Sequence, residues 1–363
     1  MLYFRQQTKT PMIEISEAQL AQLSVHTVGN KSKEEGYTSS AGLYELDDEL
    51  ENILFGYFLR PFKGDETYKL SHDSDLNLNE IYSYCKVMFQ EPEKFHLYSV
   101  NILKHLYNQS EHPHIKRGEV YIVHFRDIIL EGEPVEAIGI FKSEKKDIFL
   151  RARDKKNFVM LDVEQGIDVK KLDKGCLIFN TEEESGYRVM VVDQNNYDTH
   201  YWMDHFLGVK PDKNEVFLTS NVINLCKDFS KKVVAVEDNA QEEALFMAKS
   251  VDYFQKNEQF DVETFAETVI GGEEAPARVA QFQDFKNVYE KERELEPMDD
   301  FEIVPQTVVK EKRKIKNSID LDTNIQIKMN FNDLESGKRF IERGYDPAKE
   351  MYYYKVYFNH EKK

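Results

Sequence analysis

The sequence predicts an α+β fold: an antiparallel meander sheet with packed helices, followed by a helical region and a small C-terminal antiparallel sheet. Three observations carry this. Short β-branched or aromatic runs separated by turn-like pieces fill Val120 to Val192. Apolar residues then recur at helical spacing from about 196 to 293, and β-type runs return after about 301 together with a change in charge.

Taken in order, Ile13 to Lys31 alternates around Leu23, Val25 and Thr27 and stops at Gly29-Asn30, the pattern of a strand. From Asp47 a helix begins, with Leu50, Ile53, Leu54 and Tyr57 on one face, first-turn carboxylates suited to the helix dipole, and Pro61 closing it. Asn79 caps a second helix over Glu80 to Gln90, and Pro92 opens a third that runs to about Asn108. The meander follows as strands Val120 to Phe125, Val135 to Phe141, Ile148 to Arg153, Cys176 to Phe179 and Tyr187 to Val192. Turns fall at Glu131-Gly132-Glu133-Pro134 and Ser143 to Lys146, and the helices are expected on one side of the sheet.

Helices are then expected at 196–207, 215–234, 239–256, 261–270 and 275–293. In the first, Trp202, Phe206 and Leu207 fall at i, i+4 and i+5 before Gly208 and Pro211 end the run. In the second, Val222, Leu225, Cys226, Phe229 and Val233 form one stripe. Lys314 to Phe331 and Arg339 to Phe358 read as strands, the latter turning at Gly344-Tyr345-Asp346-Pro347. These elements suggest an N-terminal α+β domain over 1–195 and a C-terminal domain over 196–363, helical to 300 and β from 301.

The 363 residues suffice for two cores, and 41% hydrophobic with 12% aromatic content is too much buriable area for a disordered chain. No run approaches the roughly 18 apolar residues of a membrane span, and the start lacks the h-region of a signal peptide, so a cytoplasmic protein is expected. Cys85, Cys176 and Cys226 match no disulfide or zinc spacing and read as buried thiols. The net charge of −18 is uneven. Residues 237–304 hold 6 Lys/Arg against 19 Asp/Glu, whereas 305–363 hold 13 against 9. A phosphate-binding surface must therefore be local, and the C-terminal segment is where to look for it.

Catalytic signatures are missing from the sequence. Neither GxxxxGK[ST] nor GxGxxG occurs, which removes the usual backbone cradle for nucleotides, and there is no GxSxG elbow. No catalytic residue, cofactor or metal is assigned. Asp73, Asp75 and Asn77 resemble the opening of a calcium loop, but Leu78 and Tyr84 occupy its glycine and glutamate positions. His112 with His114 and His200 with His205 are the close histidine pairs, and an i, i+5 pair does not share a helix face. A Mg²⁺-dependent nuclease would need Asp127, Glu144 and Lys146 to converge; Ser143 to Asp147 reads instead as a hairpin tip.

Basic clusters remain. Lys310, Lys312, Arg313, Lys314 and Lys316 form the densest, before a predicted strand, with Lys338, Arg339 and Arg343 nearby in sequence. Such a cluster can supply phosphate contacts, and Tyr352, Tyr353, Tyr354 and Tyr357 could stack on unpaired bases. Charge runs are usually solvated faces and aromatic strands usually core. A second, more diluted set is Lys142, Lys145, Lys146, Arg151, Arg153, Lys155 and Lys156.

The segment Tyr197 to Phe229, with the early strand AQLSVHTVGNK, the block VYIVHFRDIILEGEPVEAIGIFK and the terminal aromatic strand, resembles the bacterial 37-kDa nucleoid-associated protein family. The likeness covers nearly the whole chain after about residue 12. It implies nucleoid association and DNA binding, and it attributes no enzymatic activity to the fold; contact through the C-terminal basic segment would be without strong sequence preference, on double- or single-stranded DNA. Two further partner readings are a DNA-processing protein recruited through the acidic helices of 237–304, acting as contact surface or DNA mimic, and a homodimer.

Overall fold

Successive residues of a strand face opposite ways, and along the central strands of this chain both sets are buried. A computed structural model describes residues 13–64, 66–156, 158–194, 200–237, 240–315, 318–328 and 341–360. The chain divides into two compact units, Met1–Asp212 and Lys213–Lys363.

In the first unit the order is β1 (Ile13–Glu14), β2 (Gln19–Val28), β3 (Tyr37–Thr38), α1 (Asp48–Leu59), β4 (Tyr68–Leu70), α2 (Glu80–Gln90) and α3 (Phe95–Gln109). Then come β5 (Gly118–Leu130), β6 (Glu133–Ser143), β7 (Asp147–Lys155), β8 (Phe158–Gly166), β9 (Lys174–Phe179), β10 (Arg188–Asp193), a π-type helix (His200–Leu207) and β11 (Val209–Pro211). One antiparallel sheet runs in the order β11-β4-β10-β9-β6-β5-β2-β3, with β1 on the far end of β5. β7 and β8 pair only with each other and stand outside it. The meander expected through Ile148 to Arg153 is corrected here: β6 pairs directly with β9, and Ser143 to Asp147 leads out of the sheet into a separate ribbon.

Period-two alternation divides the sheet between two cores. Val120, Ile122, Ile138, Ile140, Cys176 and Ile178 pack with α2, α3 and the 200–207 helix. Tyr121, Val123, Phe125, Phe141, Leu177 and Phe179 pack against α1, where Phe58 stacks on Phe141 at 4.4 Å. Helices therefore cover both faces, in place of the single side expected. The caps read from sequence are made: Asp47 accepts from Leu50 N–H and Asn79 from Tyr82 N–H. Trp202, Phe206 and Leu207 are buried in the first unit's core, and Gly208 ends that helix at φ 62, where an L side chain would be strained.

The second unit contains α4 (Glu215–Phe229), which continues through a π turn (Ser230–Val234) into α5 (Ala235–Glu237), then α6 (Ala240–Lys256), β12 (Gln259–Asp261) and α7 (Val262–Phe265). α8 (Pro276–Glu292), β13 (Asp300–Glu302), α9 (Pro305–Lys314), and the hairpins β14 (Ser318–Asp320) with β15 (Gln326–Lys328) and β16 (Ile341–Asp346) with β17 (Met351–Val356) complete it. The predicted stripe Val222, Leu225, Cys226 and Phe229 is buried with Phe246, Phe254, Phe260, Phe265 and Phe282. All three cysteines are buried and free. The C-terminal β region forms two separate hairpins, and the expected turn shifts: Gly344 to Asp346 belong to β16, while Asp346 Oδ1 accepts from Ala348 N–H to start the turn.

Candidate nucleic-acid interface

The KEKRKIK run begins on a helix, not at the head of a strand. Pro305 sits in the first turn of α9, where its missing N–H is no loss, and Thr307, Val308 and Glu311 form the buried stripe. Lys310, Arg313 and Lys314 lie at i, i+3 and i+4 on the exposed side, while Lys312 is half-buried and donates to Gln255 Oε1 at 3.2 Å. Lys312, Arg313 and Lys314 occupy the last turn, where the helix dipole favours cations. Lys316, Lys338 and Arg339 lie outside the described residues.

The cluster is not wholly available to an anion. Glu311 is buried and receives Lys227 Nζ at 2.9 Å and Lys314 Nζ at 2.6 Å. Burial pushes the Glu311 carboxyl up, but the hydrogen bonds from Lys314 and Lys227 outweigh it and hold the group below the usual carboxylate range. Glu311 therefore remains ionised and anchors the basic helix to α4.

Arg343 lies on β16, exposed, with its guanidinium 4.0 Å from the centre of the Tyr352 ring. Tyr345 and Tyr352 are a cross-strand pair on the same face, their rings 5.1 Å apart. Tyr345, Tyr352 and Tyr353 are each about half exposed or more. The aromatic strand is thus a surface feature, contrary to the usual reading of such a run as core. The hairpin and α9 meet α6 at opposite ends: Gln241 Nε2 donates to Ile341 O, and Gln255 accepts from Lys312. Fourteen residues of helix separate those contacts by roughly 20 Å. Lys312 with its α9 neighbours and Arg343 on the hairpin therefore stand at two stations.

The second basic set is mostly consumed. Lys142 is fully buried, donating to Glu144 at 2.7 Å and to Lys116 O at 2.9 Å beneath the Tyr201 ring, so it is no surface cation. Lys174, also buried, lies on the same ring and pairs with Asp193 at 2.8 Å. Lys146 pairs with Glu119, Arg151 with Glu164, and Arg153 with Asp162 and Glu164. Lys155 and Lys156 stay exposed at the ribbon tip.

The nuclease triad does not assemble. Asp127 occupies the bulge of β5 at φ 55, whereas Ser143, beside Glu144, pairs with Glu119 eight residues away. At a strand's rise this puts Asp127 about 25 Å from the other two groups. Among the described residues no cluster of three or more His, Cys, Asp or Glu is arranged to hold a metal. Asp75, in the run that resembles a calcium loop, accepts from Asn77 N–H in a helix-entry turn. The side chain of His200 is outside the described residues.

No described helix is long and apolar enough to cross a membrane. No curated protein matches the chain. The family model for nucleoid-associated protein YejK matches residues 24–351, so the chain belongs to that family.

Proposed function

We propose that this member of the nucleoid-associated protein YejK family binds DNA directly, without strong sequence preference and without catalysing a reaction on it. The observation that carries this reading is the exposed Lys310, Arg313, Lys314 face of α9, paired with the Arg343, Tyr345, Tyr352 face of the β16–β17 hairpin. Cations at a helix end suit phosphates of any sequence, since phosphate contacts carry no base information. Flat exposed tyrosines backed by an arginine suit unpaired bases, which every sequence offers. Lys316, Lys338 and Arg339 extend the proposed surface in sequence. Localisation at the nucleoid follows from the same reading.

Binding of the purified chain to a random duplex and its single strand at about 50 and 200 mM salt tests this, because phosphate-driven affinity falls steeply over that range. Replacing Lys310, Lys312, Arg313, Lys314 and Lys316 by alanine should weaken binding evenly across sequences and flatten the salt slope. Unchanged affinity would move the interface elsewhere.

A second reading has its own observation. Glu263, Glu267, Glu273, Glu274, Asp284 and Glu292 are exposed within the strongly acidic region of the second unit. Such a surface repels DNA and suits a basic, DNA-processing protein, so absence of DNA binding at low salt with retention of a protein partner after nuclease treatment would favour it.

A further inference from the structure

The β7–β8 ribbon is the least explained feature of the first unit. It is nine residues long on each strand, about 30 Å at the rise of a strand, and almost every residue on it is exposed. Its register separates two unlike faces. Leu150 opposite Val163 and Ala152 opposite Leu161, with Ile148 opposite Gln165 and Val159 opposite Asp154 at the ends, make the middle of one face aliphatic. Ile148, Leu150, Val159, Leu161 and Val163 are 61–68% exposed, although aliphatic residues of this size are among those most often buried. The other face is mixed: it carries the ion pairs of Arg151 and Arg153 with Asp162 and Glu164, beside the exposed Phe149, Met160 and Phe158.

A two-stranded ribbon is marginal in water unless one face packs against something. We propose that the aliphatic face packs on the same face of a second copy of this chain, so that the protein is a dimer joined by its ribbons. Charge decides the occupant. Residues 147–166 hold four cations and four anions, so the ribbon is neutral within a chain of net charge −18. Two copies repel everywhere else on average, and the ribbon is where they can meet without that penalty. A phosphate backbone would need free cations around the apolar strip, but Arg151 and Arg153 are held by carboxylates; only the tip lysines point the other way. A twofold axis makes one aliphatic strip self-complementary. Five side chains at this exposure offer about 500 Å² per copy, and the pair therefore reaches about 1,000 Å², the lower bound of specific interfaces.

Light scattering on the full chain should give twice the 42.7 kDa chain mass. The double variant Leu150→Glu, Leu161→Glu should run at the single-chain mass with unchanged circular dichroism, since neither residue supports the chain's own core. As a second measurement, Ala152→Cys introduces a thiol at the middle of the strip, while the native Cys85, Cys176 and Cys226 are buried. A short bis-maleimide should cross-link the variant into dimers and leave the wild type single. A monomeric wild type, a dimer indifferent to the two glutamates, or no cross-link through the introduced thiol would each overturn the proposal. So would a monomer whose DNA affinity is lost in the double variant, which would assign the strip to DNA. None of these outcomes depends on the α9 surface, so this proposal and the DNA-binding reading fail separately.

Discussion

Lys227 and Glu311 form a part-buried ion pair at 2.9 Å that ties α4 to the basic helix α9. The Glu311 side chain is 2% exposed, so its carboxylate depends on its two lysine partners, while Lys227 at 18% keeps partial access to water and also donates to Asn224 Oδ1. Glu311→Gln should therefore destabilise the second unit by about 1.5–3 kcal/mol, whereas Lys314→Ala, on the wet side of the same carboxylate, should cost about 0–1 kcal/mol. Thermal melts of the two variants followed by circular dichroism would separate them; equal shifts would contradict the asymmetry.

His26 gives the first unit a pH dependence. Its Nδ1 accepts from Ser40 N–H at 3.2 Å and its Nε2 faces Ser99 Oγ at 3.1 Å, while Ser99 donates onward to His96 O. That pattern needs a neutral ring. Burial first, and the neighbouring His96 second, push its pKa down to about 4. The unfolded chain takes up the proton near pH 6.5, so the unfolded state binds more protons and stability falls as pH drops from about 6.5 to about 4, by on the order of 2–3 kcal/mol. Trp202, the single tryptophan and fully buried in this unit, reports its unfolding by fluorescence. Wild type should lose its advantage over His26→Gln across that window; a constant difference would refute the assignment.

Tyr352 should discriminate between forms of DNA. Removing the ring in Tyr352→Ala should weaken single-strand binding by about 1–3 kcal/mol and leave duplex binding nearly unchanged. Arg343→Ala should weaken both, since the guanidinium offers a charge as well as a plane. Parallel titrations with a fluorescent strand and its duplex would check this.

Gly186 cannot accept a methyl group. It sits at φ 99, and a Cβ there would lie 2.0 Å from the Leu70 carbonyl oxygen, across the junction where Gly186 O accepts from Leu70 N–H. Gly186→Ala should destabilise the first unit by more than about 1 kcal/mol, the least such a backbone conflict costs. Trp202 fluorescence in a denaturant titration would show it as a lower midpoint.

Much of this was readable. The alternation of Val120 to Phe125 and Cys176 to Phe179 marks real strands, Asn79 and Asp47 announce their helices, and the stripe Val222 to Phe229 is a buried face. What misled was burial. Glu311 is charged and buried, so the buried stripe Thr307, Val308, Glu311 that α9 does possess is hidden by the residue type. Val159, Leu161 and Val163 alternate as a strand should, but nothing in the sequence tells that β8 pairs with β7 alone, outside the large sheet. The tyrosines of β17 fail in the same way: composition says core, and the exposure of Tyr352 and Tyr353 says surface. Nor does sequence show that the α9 cations and Arg343 attach near opposite ends of one helix.

That attachment sets a length scale. α6 holds the α9 cations and the Arg343–Tyr352 hairpin apart by a rigid rod of about four turns. Duplex DNA advances about 3.4 Å per step, so the proposed surface has a minimum footprint of about six base pairs. An oligonucleotide shorter than that can occupy one station or the other but not both, and affinity should rise in a step, not smoothly, as the ligand is lengthened past it.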